Sequence, residues 1–325
     1  MKQDPKQFIQ NVFKSYDVVL LAESHGVADN LKWLHDLIPT LYDAGVDYIG
    51  MEFGAMEDQD KLDRLITNPV YDEKLARELM FHYNVIFPYQ EYMDVYRHVH
   101  AFNQTLSVGS KPMRILNLSY VFNWKDYTLP DTKEKRDNVF YRGDIDYFRY
   151  QRIKQNVLDL NRKIIVLTGT PHAYTKSHII PHDYQFLGEY LYQYAPSRVT
   201  NLFLHEYVYD PHGHQYLPPF DESKEPYCVD LNKDSLGLQP IYPTSNQRWR
   251  DIFDGYIYIV PLKSRKSCQI DHQFLDGHRW QDVLDQFPDP NWHEPPANIE
   301  AYWNFVQSQV NWINEDSDFA LIETV

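Results

Sequence analysis

Cysteine is scarce in this 325-residue sequence, and long apolar segments are absent from it. The two cysteines, Cys228 and Cys268, lie about forty residues apart and form no Cys-x-x-Cys pair. That spacing excludes a zinc site made of cysteines alone and offers no disulfide framework, so we expect a reducing compartment. No run of about 18 apolar residues occurs, and the first residues lack the apolar stretch of a secretion signal. We therefore expect a cytoplasmic protein without a membrane span.

Positive charge is also in short supply, since the formal net charge is −15. A surface for nucleic acid or for an anionic membrane needs a basic patch, so we expect neither of these partners. Two catalytic signatures are missing as well. Without a Gly-x-Ser-x-Gly motif the sequence does not indicate a serine enzyme of the α/β-hydrolase type, and without a Gly-x-x-x-x-Gly-Lys-[Ser/Thr] loop it does not indicate a P-loop nucleotide enzyme.

Apolar strands alternate with amphipathic helices through the first two thirds of the chain. Four apolar runs have the length of buried strands, at residues 18–22, 47–55, 113–119 and 163–169. The first two are joined by a helical pattern of about sixteen residues, which makes a βαβ unit and therefore two parallel strands. The sequence predicts an α/β fold with a mostly parallel central sheet flanked by helices.

The same pattern suggests a single α/β domain over residues 1–325. Its core spans about residues 15–210 and includes a helical insertion at about 56–106. One late strand is expected near 255–261, and amphipathic segments predict a helical elaboration over about 270–325 that packs on the main domain or on a partner. The sequence does not indicate the oligomeric state.

Polar side chains follow three of the predicted strands, where each strand ends. Glu23 and His25 follow the first strand, Glu52 lies near the end of the second, and His172 follows the fourth. Each alone is commonly a turn residue. Ligands of open α/β sheets bind outside the carboxyl ends of the strands, and buried charges are costly unless they serve one another or a ligand. Glu23, His25, Glu52 and His172 are therefore our candidate site.

The order of three short motifs resembles a known group of proteins. The segments AESHG, GMEFG and VLTGTPHA follow one another as in the erythromycin-esterase-like and ChaN-like superfamily, which includes TraB and TIKI relatives. The resemblance covers roughly residues 15–210. It implies an α/β fold with its site at the carboxyl edge of the strands, with His25 as general base, Glu23 and Glu52 as supporting or catalytic carboxylates, and His172 as a further site histidine.

The sequence departs from the esterase branch in three respects. The motif begins with Ala22 where glycine is usual, and Glu23 and His25 are two residues apart, as in the ChaN-like branch, where the macrolide esterases have three. The start of the helix after His25 also lacks the arginine that those esterases supply. These differences argue against macrolide hydrolysis in particular.

Three kinds of chemistry remain open for these residues. In a metal-free hydrolase, His25 would deprotonate a water held by Glu52 to cleave an ester, amide or related bond of a small molecule or peptide. In a metal-dependent enzyme, Glu23, His25 and His172 would bind a divalent transition metal. The alternative is a non-catalytic protein that binds haem, iron or another small ligand in the same crevice, with one of the 26 tyrosines as the haem ligand.

Overall fold

The computed structural model describes residues 2–125, 127–179, 183–220, 223, 225–288 and 294–315, with side chains described through residue 313. Its centre is a seven-stranded sheet. The strands of this sheet are β1 (Val18–Glu23), β2 (Tyr48–Ala55), β3 (Arg114–Ser119), β4 (Ile164–Gly169), β5 (Val199–Leu204), β8 (Tyr227–Asp230) and β9 (Gly255–Tyr258). Two short strands, β6 (Val208–Tyr209) and β7 (Gln215–Tyr216), pair separately as a hairpin.

The spatial order of the sheet is β3-β2-β4-β1-β5-β9-β8, and every pair is parallel except β8 with β9. Strand β1 lies near the middle and is buried along its whole length. Its side chains alternate between two cores, with Val19 and Leu21 on one side and Val18, Leu20 and Ala22 on the other. Burial on both faces explains why the sequence reads as a continuous apolar run.

Helices cover both faces of the sheet, which confirms the predicted α/β fold. One face is covered by α1 (Pro5–Ser15), α2 (Ala28–Asp43), α3 (Gln59–Thr67), α4 (Glu73–Tyr83), α5 (Gln90–Gln104), α10 (Trp280–Gln286) and α11 (Ile299–Glu315). The other face is covered by α7 (Ile145–Asn156), α8 (Leu187–Tyr194) and α9 (Trp249–Ile252). Helix α6 (Lys133–Val139) belongs to the connection after β3. No helix in the described ranges is long and apolar enough to cross a membrane.

The segment after residue 215 contains more strand than the sequence indicated. The late strand predicted at 255–261 is β9, and it ends earlier, at Tyr258. Strand β8 was not predicted, because its four residues follow a proline-rich stretch and pair antiparallel to β9 at the sheet edge. The predicted C-terminal elaboration consists of α10 and α11 in its described part, and residues 289–293 and 316–325 lie outside the described residues.

Strand β2 changes its pairing with β3 close to the predicted site. The register shifts between Met51 and Ala55. Side chains of β3 take the place of backbone hydrogen bonds between the two strands there. The Ser119 hydroxyl donates to the carbonyl of Glu52 at 2.7 Å, and the Asn117 amide donates to the carbonyl of Ala55 at 2.7 Å. The backbone that carries Glu52 is thus held by β3.

Candidate active site

The four predicted site residues meet around Gly169, at the carboxyl edge of the sheet. Glu23 ends β1 and is in register with Gly169, the last residue of β4. His172 lies in the single 3₁₀ turn that follows β4. A Cβ atom placed on Gly169 would lie 3.0 Å from His25 Nε2 and 3.4 Å from His172 Cδ2. Both imidazoles therefore border one small space above the Gly169 backbone, and Glu52 contacts that backbone directly.

Glu23 and His25 form a hydrogen-bonded pair that Tyr92 supports. His25 Nδ1 donates to Glu23 Oε1 at 3.0 Å, and the Tyr92 hydroxyl donates to the same oxygen at 3.0 Å. Tyr92 also accepts the backbone N–H of Gly26 at 3.1 Å, so one side chain fixes both the carboxylate and the turn. The other oxygen of Glu23 is buried without a hydrogen-bond partner among the described residues. Burial raises the pKa of Glu23, although the bond from His25 opposes that effect.

The ring of His25 is partly open to solvent. Its side chain is 34% exposed, and its edge packs on Phe53 and Phe87 with centroid distances of 4.8 and 6.0 Å. Burial alone would lower the pKa of His25, but the hydrogen bond to Glu23 and the charge of Glu52 outweigh it and raise the pKa. Because Nδ1 is the donor to Glu23, Nε2 is the acceptor in the neutral ring. No residue in the described part of the chain bonds to Nε2.

Glu52 is a buried carboxylate with both oxygens occupied. Its Oε1 pairs with Arg149 Nη1 at 3.0 Å, and its Oε2 accepts the Thr168 hydroxyl at 2.6 Å and the Gly169 N–H at 3.0 Å. Burial would raise the pKa of Glu52, but the Arg149 guanidinium and then the charge of His172 hold it well below its ordinary range. Glu52 is therefore ionised at neutral pH.

His172 is held by a second acid, Asp146. Its Nδ1 lies 2.7 Å from Asp146 Oδ2, and its Nε2 lies 3.5 Å from Glu52 Oε1. Arg149 connects the two acids, because its Nη1 is also 3.2 Å from Asp146 Oδ1, and its remaining nitrogens reach the Ser119 hydroxyl at 3.3 Å. Asp146 and Arg149 are buried, whereas the His172 side chain is 25% exposed.

The sequence did not reveal Asp146, Arg149 or Tyr92 as members of this cluster. Asp146 and Arg149 are three residues apart on α7 and share its buried face with Ile153. Two charged residues on the apolar face of a helix are a detectable signal, because buried charges need partners.

The metal-binding role expected of Glu23, His25 and His172 stays a prediction. In the described ranges, no group of three histidine, cysteine, aspartate or glutamate side chains is arranged to hold a metal ion. Nδ1 of His25 is bonded to Glu23 and Nδ1 of His172 to Asp146, which are hydrogen bonds of the kind that metal-binding histidines also make. Within the cluster, each of the two histidines is therefore hydrogen-bonded to a different carboxylate.

Comparison with known proteins gives relatives in structure only. No family model matches the sequence, and no curated protein matches it. Three solved structures each give a TM-score of 0.54 over 82% of this chain. The first is a protein from Bacillus cereus, with 14% sequence identity and 93% of its own length covered. The second is a succinoglycan biosynthesis protein, with 13% identity and 92% of its length covered. The third is a mutant of an erythromycin esterase in its open conformation, with 10% identity and 95% of its length covered. The chain thus has an erythromycin-esterase-like fold.

Proposed function

We propose that the protein is a hydrolase in which His25 is the general base. One observation carries this proposal: His25 is oriented through Nδ1 by a buried carboxylate, while its Nε2 faces the space above Gly169 that His172 also borders. The His25 side chain is 34% exposed, and a partly exposed histidine whose Nδ1 is fixed by an acid while its Nε2 has no partner among the described residues is suited to take a proton from water.

The proposed reaction is attack of water on an ester, amide or related carbonyl of a small molecule or peptide. His25 Nε2 takes a proton from the water as its oxygen bonds to the carbonyl carbon. His172 lies beside the same glycine, its Nδ1 is bonded to Asp146, and in this proposal its Nε2 donates to the oxygen that becomes negatively charged. The tetrahedral intermediate then collapses, the bond to the leaving group breaks, and His25 returns the proton to that group.

Glu52 has a different role in this proposal from the one expected from the sequence. Its oxygens are occupied by Arg149, Thr168 and Gly169, and it is buried, so it is poorly placed to hold the attacking water. We assign it to positioning: its fixed negative charge holds Arg149 and helps to raise the pKa of His25.

A panel of chromogenic esters and amides tests the proposal with the purified chain. We expect the His25→Ala variant to lose about 10²–10⁴-fold in kcat/KM on any substrate that the wild type hydrolyses. His98→Ala is the matched control, because that histidine is exposed on α5, hydrogen-bonds to the backbone of Asp94 and stacks on His35, outside the cluster. Wild-type rates in His25→Ala, or a Soret band in the purified protein, would reject the hydrolase proposal.

A further inference from the structure

A cavity of about 1050 Å³ opens beside the active-site cluster, at the β3 end of the sheet. The connection after β3, the end of α4, helix α6 and helix α10 form its walls. Its volume is at the upper end of the range for pockets that bury drug-sized ligands. Neither the proposed base nor its partners line it, so the hydrolase proposal does not account for it.

Aromatic rings make up much of the cavity wall. Phe81, Phe122, Trp124 and Tyr141 line it. Trp124 is held edge-on against Phe140 at 5.7 Å, and Phe122 is held in the same way at 5.3 Å. The wall is thus a fixed aromatic surface, which suits an apolar or aromatic ligand body.

Carboxylates outnumber available cations at the cavity. Glu78, Asp282 and Asp285 line it, against two lysines. Lys135 is bound by three oxygens of Thr128 and Pro130, so its charge is directed into its own loop. Lys125 lies 3.8 Å from Asp285, a distance at which two exposed side chains attract each other only weakly.

The partners of the other two carboxylates differ. Asp282 accepts two side-chain hydrogen bonds from Arg279 and caps α10 through the Arg279 backbone N–H, so it stays paired. Glu78 pairs with Lys74 at 3.7 Å, and their side chains are 48% and 77% exposed. An exposed pair of this kind contributes little free energy, so a bound cation can take over Glu78. His82 adds an acceptor: Asp58 bonds to its Nδ1, which leaves Nε2 as the acceptor of the neutral ring at the cavity wall.

A row of rings joins the cavity to the active-site cluster. The centroid of His25 is 4.8 Å from that of Phe53, Phe53 is 6.4 Å from Tyr83, and Tyr83 is 6.1 Å from Phe122 in the cavity wall. Three ring contacts thus separate the base from the cavity wall, a path within the span of a single extended molecule.

We propose that the cavity binds an organic cation with an apolar or aromatic body, and that this is the non-reacting part of the substrate. Aromatic faces combined with carboxylates attract ammonium groups, through the ring quadrupole and through charge. The identification of this ligand as substrate rests on the proposed hydrolase function. Binding of the cation itself does not require catalysis.

Fluorescence titration of the full chain with thioflavin T, an aromatic cation, tests the inference against 1-anilinonaphthalene-8-sulfonate, an aromatic anion. We expect the cation to bind at least tenfold more tightly, with an affinity that falls as salt is added. Trp124→Leu keeps apolar volume but removes the aromatic face, and Glu78→Gln with Asp285→Asn removes two charges. Each change should weaken cation binding about tenfold, while Asp60→Asn, an exposed carboxylate outside the cavity, should leave it unchanged.

Equal or tighter binding of the anion, or wild-type cation affinity in both cavity variants, would overturn the inference. The His25→Ala variant separates it from the proposed function, because this variant should bind the cation normally yet fail to hydrolyse. Cation binding without hydrolysis by the wild type would reject the function alone. Hydrolysis without cation binding would reject the cavity assignment alone.

Discussion

Replacement of Gly26 by alanine is expected to destabilise the protein through two separable effects. Gly26 follows His25 and has φ +87°, a backbone conformation that costs a residue with a Cβ about 1–2 kcal/mol. An alanine Cβ would also lie 2.7 Å from Val310 Cγ1 on α11, a contact that requires a shift in the core. Overpacking of this kind costs about 1–3 kcal/mol. We expect Gly26→Ala to lower the free energy of unfolding by about 2–5 kcal/mol.

Urea denaturation of four variants distinguishes the two effects. Gly45 has φ +78° but nothing within 4 Å of its Cβ position, so Gly45→Ala should show the backbone cost alone. Combining Gly26→Ala with Val310→Ala should give a favourable coupling energy relative to the two single variants, because the smaller side chain relieves the contact. Equal losses in Gly26→Ala and Gly45→Ala, with no coupling to Val310, would refute the packing of α11 on the turn that carries His25.

Three further predictions concern the cluster and its surroundings. Gly169→Ala should lower kcat/KM at least tenfold, because the new methyl displaces the His25 ring by a few tenths of an ångström. The urea midpoint should stay close to that of the wild type, and unchanged turnover would contradict the prediction. Arg149→Met should lower the free energy of unfolding by about 3–5 kcal/mol, since Glu52 loses its buried cation. Arg149→Lys keeps a positive charge beside Glu52 and should lower the free energy of unfolding by less. Burial lowers the pKa of His205 to about 3, so the unfolded chain binds a proton that the folded chain does not. The free energy of unfolding should therefore fall as the pH drops below about 6.5. In urea titrations at pH 4–7, His205→Gln should show a smaller fall than the wild type, and the same dependence on pH in both proteins would contradict this role of His205.

The part of the site that the sequence revealed is the part that strand geometry controls. Glu23, Glu52 and His172 could be brought together because parallel strands present their carboxyl ends at one edge. The apolar runs were long enough to identify β1, β2, β3 and β4 within one residue of their bounds. Their side-by-side order, with β4 between β1 and β2, could not be read from the runs themselves.

The part that remained hidden depends on how helices dock. Asp146 reaches His172 across 26 residues of chain, and Arg149 reaches Glu52 across almost one hundred, so neither contact has a local pattern. The amphipathic pattern of α11 indicated that one of its faces packs on the main domain or on a partner. The structure shows that Val310 of α11 lies against Gly26, so this helix supports the turn after β1. Periodicity gives the buried face of a helix and leaves its partner open.

The pKa of His25 is the most direct test of the account, because it measures whether this histidine lies in the joint field of Glu23 and Glu52. It can be followed by NMR titration of histidine-labelled protein, with the His25 resonance assigned from the His25→Ala variant. We expect a value above the ordinary 6.5 in the wild type and a lower value in Glu23→Gln, which loses the hydrogen-bonded charge. A wild-type pKa at or below 6.5 that does not respond to Glu23→Gln would contradict the claim that these residues form one catalytic centre.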